Sequence, residues 1–243
     1  MTAVVVGASS GLGRALCEEL AARGRDVVIV AGHMEDCARL AAHLRLLHGV
    51  KALPIAVDAR DPAAFREGLA RGLEGVGPVT DLFLPMGAAS DEDRIGEAAR
   101  VLQPVWQVNY AAVVAAVELV RPLMAPGGGR VVGFGSIAAV RARNRNVQYA
   151  AAKAALSTYF EGLRHALAPE KCTGQFYVVG YIASGQSFGK TQLFPPMPAR
   201  RAARSVLNDG ARDFGSRFLP RYWALVAAAL RCLPWPLFSR MQF

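Results

Sequence analysis

Residues 3–13, with the sequence AVVVGASSGLG, give the clearest indication of the fold. The first four residues are apolar and mostly β-branched, which predicts a buried strand, and the alanine- and leucine-rich segment after this stretch predicts a helix that ends near Gly24. Glycines between a strand and a helix suit a tight turn, a close approach of pyrophosphate to the backbone, and close packing of helix on sheet, with the phosphates at the helix N-terminus. The cofactor contacts predicted from this stretch are Gly7, Ser9, Ser10, Gly11, Leu12 and Gly13.

The same alternation of strand and helix continues along the chain. Further strands are predicted at 26–31, 52–57, 81–84, 130–134 and 175–179. Helices are predicted at 35–48, from 62 to about 73, in a long apolar region that reaches 123, and from 149 to about 168. This order predicts an α/β fold, a Rossmann-type doubly wound parallel sheet in a single domain over residues 1–220, followed by an apolar tail over 221–243.

The ends of the second and third predicted strands bear on the choice of cofactor. An acid after the second strand would bind the ribose 2′-hydroxyl of NAD, whereas a basic residue would accommodate the 2′-phosphate of NADP. The sequence there is Ala31-Gly32-His33. Both NAD(H) and NADP(H) therefore stay open, with His33 as the discriminating residue. Asp58, which closes the third strand, is expected beside the adenine ring or in a turn.

The stretch SIAAVRARNRNVQYAAAK, residues 136–153, carries the predicted chemistry. Tyr149 and Lys153 are four residues apart, so on a helix they share a face. A lysine ammonium there is expected to lower the phenol pKa and make Tyr149 a proton donor and acceptor near neutral pH. Ser136 follows an apolar strand, and its hydroxyl is expected to hold a carbonyl oxygen at the carboxyl end of that strand.

One polar residue interrupts the long apolar helix before this stretch. Asn109 lies among apolar residues that are expected to be buried, so its amide needs hydrogen-bond partners. Either it is a satisfied core amide, or it holds a water in a proton relay from Lys153.

Composition narrows the functional classes. Apolar residues make up 53% of the 243 residues and charged ones 19%, which suits a buried parallel sheet and homo-oligomer contacts. The net charge of +9 comes without a basic run interleaved with aromatics, so nucleic-acid binding is not expected. Four scattered cysteines predict neither a metal site nor a disulfide framework. With a strand from residue 3 and no spanning apolar run, we expect a cytoplasmic protein.

These motifs, taken together and in this order, resemble the short-chain dehydrogenase/reductase family over nearly the whole chain. The resemblance implies a Rossmann fold, a nicotinamide cofactor and an oxidoreductase. It implies Tyr149 as proton donor, Ser136 as carbonyl orienter, Lys153 on the nicotinamide ribose and Asn109 in a proton relay. It also implies cofactor contacts from Gly87, Ile182 and Ser184.

The chain departs from the family pattern at three places. Pro85-Met86-Gly87-Ala88 replaces the Asn-Asn-Ala-Gly that usually follows the fourth strand, and Val179-Gly180 replaces a Pro-Gly. Ser184 stands where the family usually has a threonine. No catalytic group is lost, but the structure of the central loop and the nicotinamide contacts are less defined by the resemblance.

A narrower resemblance concerns the substrate. The patterns Arg141-x-Arg143-x-x-Asn146-x-x-Tyr149 and Gln107-Val-Asn109-Tyr110, with the tail, look like the keto-pentose reductases of arabinan synthesis. These reductases act on a 2-keto sugar that is carried on a polyprenyl phosphate and supplied by a flavin oxidase. The resemblance implies the same substrate class. Alternatives are another apolar ketone, such as a steroid or fatty-acyl derivative, and a non-catalytic nucleotide-binding regulator.

Three alternate arginines in this pattern are the expected anion-binding groups. In an extended loop alternate side chains point the same way, so Arg141, Arg143 and Arg145 are expected to converge beside the pocket, together with Asn146. Guanidinium groups match phosphate oxygens bidentately. The alternative is a solvated basic loop.

The tail combines apolar residues at helical spacing with Arg221, Arg231 and Arg240. It is too short to span a bilayer. We expect it either to contact the interface of an anionic membrane, which would place the protein at the inner face of the plasma membrane, or to pack at a subunit contact.

Overall fold

Seven parallel strands form the central sheet of the computed structural model, which describes residues 1–126, 128–183 and 194–240. These strands are β1 (Thr2–Val6), β2 (Asp26–Ala31), β3 (Ala52–Ala56), β4 (Val79–Leu84), β5 (Arg130–Ser136), β6 (Thr173–Val179) and β9 (Ser216–Leu219). Their order across the sheet is β3-β2-β1-β4-β5-β6-β9. The order reverses between β1 and β4, and this is the point at which a doubly wound sheet opens a crevice for a ligand. The predicted fold is confirmed.

Helices cover both faces of this sheet. They are α1 (Gly11–Ala21), α2 (Met34–His48), α3 (Pro62–Gly72), α4 (Leu102–Trp106), α5 (Ala112–Val120), α6 (Val147–Leu167) and α7 (Ala199–Asp209). Two apolar clusters result. One packs α1, α2 and α7 on one face, and the other packs α3, α5 and α6 on the opposite face. Because both faces are covered, the strands are apolar almost throughout.

Local signals explain where two of the helices begin or end. Asp61 accepts hydrogen bonds from the backbone N–H groups of Ala63 and Ala64, and Pro62 occupies the first turn of α3. Gly49 ends α2 in the left-handed conformation, with φ of 65°. Both boundaries agree with the sequence within about two residues.

The predicted long helix contains a wide turn. Between α4 and α5 the chain forms one π-helical turn at Gln107–Ala111, and Asn109 lies in it, fully buried. Such turns insert a residue into a helix and re-aim the neighbouring side chains, and they occur frequently at functional sites.

The carboxyl-terminal third contains elements that the sequence patterns did not predict. A two-stranded sheet joins β7 (Ile182–Ala183) to β8 (Met197–Pro198), α7 follows, and β9 extends the main sheet beyond β6. The tail folds into α8 (Trp223–Cys232) and α9 (Trp235–Phe238). β9 escapes a periodicity search because it has only four residues and is mostly half-exposed.

A buried ion cluster holds the amino-terminal ends of the strands together. The Asp81 carboxylate on β4 pairs with Arg130 on β5 and with Arg25 beside β2. Arg130 also donates to the carbonyls of Val206 and Gly210, at the end of α7. Burial would raise the pKa of Asp81, but the two guanidinium groups hold it below its ordinary value. The cluster therefore fixes the sheet on the side opposite the ligand crevice.

Within the described residues, no helix is long and apolar enough to cross a membrane. No group of three or more histidine, cysteine or acidic side chains in the same residues is placed to hold a metal ion. Cys17, Cys37 and Cys172 are buried free thiols, and Cys232 is an exposed one.

Candidate active site

The glycine loop after β1 has the shape that a dinucleotide requires. Gly7 has φ of 95°, and a Cβ atom there would lie 2.8 Å from the Cα of Met86. A Cβ on Gly13 would lie 2.0 Å from the Gly7 carbonyl oxygen, so α1 packs against the loop with no space for a side chain. The first turn of α1 has no side-chain cap from Ser10, which leaves its N–H groups for an anion. These features fit the pyrophosphate of a nicotinamide dinucleotide.

The remaining residues of the loop have different surroundings. Ser9 is half-buried and Ser10 is exposed, whereas Leu12 packs on the apolar cluster of α1 and α2. Ile182 lies in β7 and packs on the same cluster. Ser184 lies outside the described residues.

The far end of the predicted cofactor site carries both signs of charge. His33 is exposed at the start of α2, and Asp58 follows β3. Arg60 donates to both carboxylate oxygens of Asp58, from Nε to Oδ1 at 3.0 Å and from Nη2 to Oδ2 at 2.8 Å, and this pairing lowers the pKa of Asp58, with a smaller effect from His33. The contact of Arg60 with Asp58 was not predicted, although the two residues are only two positions apart in the sequence.

Lys153 is a charged residue enclosed almost completely by the site. Its side chain is 3% exposed, and Nζ donates to the carbonyl oxygens of Met86, at 3.1 Å, and Phe134, at 3.0 Å. Burial lowers the pKa of Lys153 to about 8. Nζ lies 5.9 Å from the ring centroid of Tyr149 on the preceding turn of α6, as the i, i+4 spacing predicts.

Ser136 and Tyr149 meet at the carboxyl end of β5. A hydrogen bond with Ser136 lowers the pKa of the Tyr149 phenol, but burial raises it by more, and the net shift is upward. The prediction that Lys153 makes the phenol more acidic is wrong, because burial raises the pKa of Tyr149. Lys153 Nζ donates its hydrogen bonds to two backbone carbonyl oxygens. A protonated phenol at neutral pH is a proton donor, which suits the reduction of a carbonyl.

Asn109 is held in place by the backbone. Its Nδ2 donates to the carbonyl oxygens of Ala88, at 2.7 Å, and Val105, at 2.8 Å, and its Oδ1 accepts from the Ala88 N–H group at 3.3 Å. A Cβ on Gly87 would lie 3.1 Å from Asn109 Oδ1 and 3.5 Å from Lys153 Nζ. Because Gly87 has no side chain, no atom of it fills the space between Asn109 Oδ1 and Lys153 Nζ. A water relay between them stays a prediction.

A cavity of about 320 Å³ opens beside Ser136. Ile137 and Ala138 form its wall next to Ser136, and the tail helices form the opposite wall. Most of its lining is apolar, and the polar exceptions include Arg141 and Arg143. Lining residues that were not predicted for the site include Tyr181, Phe194, Trp223, Val226, Leu230 and Phe238.

The structure brings two of the three loop arginines to this cavity. The Arg141 guanidinium donates to the carbonyl oxygens of Leu230 and Leu233, at the end of α8, and lies 4.0 Å from the centre of the Phe238 ring. Arg141 therefore fastens the tail to the loop. Arg143 lines the cavity, whereas Arg145 is exposed and pairs through its backbone with Arg94.

Close packing explains why a glycine follows Val179 at the end of β6. The indole of Trp223, which is 3% exposed, lies against Gly180, and a Cβ there would be 2.0 Å from Nε1. Only glycine leaves space for α8 to approach the end of β6. One side of the tail therefore forms part of the cavity wall, and the other side is exposed.

The fold and these side chains define an enzyme that moves a hydride and a proton between a nicotinamide cofactor and a carbonyl or alcohol. Residues 1–190 match the family model for short chain dehydrogenases, and the chain belongs to this family. As a member of this family it is an NAD(P)-dependent oxidoreductase.

Similar proteins span the whole chain. An uncharacterized oxidoreductase of Mycobacterium tuberculosis is 29% identical over 248 residues, which cover 98% of this chain and 96% of that protein. An uncharacterized oxidoreductase of Streptomyces coelicolor is 30% identical over 249 residues, covering 98% and 94%. Among solved structures, L-sorbose reductase from Gluconobacter frateurii, in complex with NADPH and L-sorbose, superposes with a TM-score of 0.80 at 22% identity, covering 89% of this chain and 93% of that one. The last likeness supports the fold.

We expect Tyr149→Phe to reduce turnover by about two to four orders of magnitude, because it removes the transferable proton. The dissociation constant of NADPH should stay unchanged, since little binding surface is lost. Tyr159→Phe is the matched control, because Tyr159 lies on the same helix and contacts Glu118, away from Ser136. Hydride transfer by Tyr149→Phe at the rate of the Tyr159→Phe control would exclude Tyr149 as the donor.

We expect kcat/KM for ketone reduction to fall as the pH rises through about 8, the pKa of Lys153. Below this pH the ammonium is charged, and above it the amine is neutral, while Tyr149, with its raised pKa, stays protonated. Because kcat/KM reports the free enzyme, it is the parameter to follow from about pH 6 to about pH 9.5. Lys153→Arg keeps its charge and should give a flat profile. If kcat/KM of Lys153→Arg still falls near pH 8, the titrating group is not Lys153.

Proposed function

We propose that the protein uses NAD(P)H to reduce the ketone of an amphiphilic substrate, a keto-sugar carried on a polyprenyl phosphate. The observation that supports this proposal is the composition of the cavity. Its walls are apolar over most of their area, and Arg143 adds a cation beside the loop that follows Ser136. A substrate with an apolar chain and a phosphate would match both parts.

The apolar part of the cavity suits a lipid chain better than a free sugar. Val226, Leu230 and Leu233 contribute aliphatic surface from α8 and its end, and Phe194 and Trp223 form an aromatic pair with centroids 5.2 Å apart. A free polyhydroxylated sugar would leave its hydroxyl groups against these side chains without partners, which costs free energy. An isoprenoid chain carries no such groups.

The loop arginines have separate roles in this proposal. Arg141 donates to two carbonyl oxygens and stacks on Phe238, so its guanidinium is engaged by the tail. Arg143 is the half-buried guanidinium of the lining that we assign to the phosphate. Charge-assisted hydrogen bonds from a partly buried guanidinium to phosphate oxygens are among the stronger polar contacts in proteins.

The proposed direction is reduction. The raised pKa of Tyr149 keeps its proton available at neutral pH, and the cofactor supplies the hydride. Ser136 would orient the carbonyl oxygen, and Asn109 would support proton return to Lys153. Another enzyme must form the ketone by oxidising a sugar hydroxyl, and a flavin oxidase partner for that step stays a prediction.

We expect Arg143→Ala to raise the KM for a keto-pentose polyprenyl phosphate by about one to two orders of magnitude, as expected for the loss of about 1.5 to 3 kcal/mol of charge-assisted hydrogen bonding. The KM for the dephosphorylated analogue should not change. Arg145→Ala is the matched control, because it removes the same charge from the same loop at an exposed position outside the cavity lining. Steady-state kinetics with both substrates gives the comparison.

Other results of these kinetic measurements would favour a different function. Equal loss for both substrates would mean that Arg143 shapes the loop, and the phosphate proposal would fail. Activity on a steroid or fatty-acyl ketone, with none on the keto-sugar lipid, would favour the second candidate, which the apolar walls also fit.

The outer face of the tail supports a further part of the proposal, peripheral contact with an anionic membrane. Leu225, Trp235 and Leu237 are 76%, 68% and 54% exposed. After Asp213 the sequence contains four arginines and no acidic residue. Exposed apolar side chains interspersed with cations suit the interface of anionic lipids. Two copies of this face would bring like charges together, so a symmetric subunit contact through it is less favourable.

We expect the double substitution Leu225→Gln and Trp235→Gln to reduce co-sedimentation with vesicles of phosphatidylcholine and phosphatidylserine. Leu46→Gln is the control, because Leu46 is 85% exposed on α2, remote from the tail. Deletion of the tail is unsuitable, since Trp223 and Phe238 are buried against the site. Unchanged vesicle binding together with a loss of oligomers would assign the face to a subunit contact.

A further inference from the structure

The helix that carries Tyr149 and Lys153 lacks a cap of its own. Asn146, the residue before α6, has φ of 57° and ψ of 42°, in the left-handed region, and its side chain makes no capping hydrogen bond. The first N–H groups of any helix have no partner within the helix. The first turn of α6, which contains Tyr149, therefore depends on groups from elsewhere in the chain.

Asp93 supplies those groups from the loop between β4 and α4. One oxygen of its carboxylate accepts the Gln148 N–H at 2.9 Å, and the other accepts the Tyr149 N–H at 2.9 Å. Its backbone carbonyl accepts the Asn146 N–H at 2.7 Å. The Asp93 residue is 1% exposed, so water does not replace these contacts.

The loop that presents Asp93 is attached at both ends. The Ile95 N–H donates to Asn144 Oδ1 at 3.1 Å, next to the paired backbones of Arg94 and Arg145. At its start, Ala88 exchanges two hydrogen bonds with the Asn109 side chain. Asp93 thus holds the catalytic helix from a segment that also contacts the proposed proton relay.

We infer that Asp93 is a positioning residue: its buried carboxylate fixes the first turn of α6 and thereby places the Tyr149 hydroxyl opposite Ser136. The backbone N–H of Tyr149 itself is one of the two groups held, so a shift of this turn moves the phenol directly. Displacements of about 1 Å at a reacting group lower rates by up to about a hundredfold. The inference rests on Tyr149 as the proton donor and is independent of the substrate class.

The test compares Asp93→Ala and Asp93→Asn with Asp61→Ala. Asp61 caps α3 in the same way, through the N–H groups of Ala63 and Ala64, but α3 carries no residue of the site. Asparagine has the shape of aspartate and keeps one acceptor oxygen, so Asp93→Asn can still accept one of the two N–H groups. This variant keeps the inference testable if Asp93→Ala does not fold. Thermal unfolding is measured for each variant, and kinetics are recorded below all transitions, with any ketone that the wild-type protein reduces.

We expect kcat to fall by about ten- to a hundredfold in Asp93→Ala, and by less in Asp93→Asn, while the dissociation constant of NADPH changes by less than about threefold. Asp61→Ala should lower the unfolding temperature and leave kcat unchanged. In a Tyr149→Phe background the Asp93→Ala change should have no further effect on hydride transfer, because the group that it positions is absent.

Two results would overturn the inference. One is a wild-type kcat in folded Asp93→Ala, and the other is an equal loss of kcat in Asp61→Ala. A failure of the donor assignment would be recognised separately, since Tyr149→Phe would then retain its rate whatever Asp93 does.

Discussion

The burial of the Lys153 ammonium group at the carboxyl ends of β4 and β5 is the constraint on which the site depends. A buried charge without partners costs several kcal/mol, so the carbonyl oxygens of Met86 and Phe134 must point at it. This requirement fixes the ends of two neighbouring strands and the rotation of α6 at the same time. Tyr149, one turn earlier, is then directed to Ser136, which ends β5.

The opposite end of the sheet is held by charge in a different way. Asp81 meets two guanidinium groups there, and Arg130 continues to the carbonyls at the end of α7. Removing one partner of such a cluster is expected to cost about 3 to 5 kcal/mol, because the remaining charges stay buried. The ligand crevice therefore lies between strands that are fixed at both ends. Preorganised polar groups at the crevice need little rearrangement when charge develops on a substrate oxygen.

The parts that the sequence predicted well are those determined by contacts close in the chain. The glycine loop, the Asp61-Pro62 start of α3 and the spacing of Tyr149 from Lys153 each depend on residues within one or two turns. The parallel direction of the strands follows from the βαβ alternation, since parallel neighbours require a crossover connection. The raised pKa of Tyr149 was not predicted, because burial is a property of the folded chain and i, i+4 spacing contains no information about it.

The parts that the sequence did not predict depend on contacts between distant residues. Asp93 lies in the acidic run Asp91-Glu92-Asp93, which is typical of a solvated loop, and no local pattern distinguishes the buried acid from its neighbours. The contact between Arg141 and Leu230 spans 89 residues, and it turns an expected phosphate ligand into the anchor of the tail.

In this protein the proposed catalytic residues depend on contacts close in the sequence, whereas the cavity that would select the substrate depends on contacts between distant residues. Tyr149, Lys153 and Ser136, the groups that we propose for catalysis, lie on one helix and at the end of one strand, so a short motif describes them. The cavity wall instead requires α8 to approach Gly180 closely and Arg141 to hold the end of that helix. A change in the tail can therefore alter the shape of the cavity without moving Ser136 or Tyr149. For this reason the fold and the reaction type follow from the motifs, whereas the substrate must be inferred from how the tail packs.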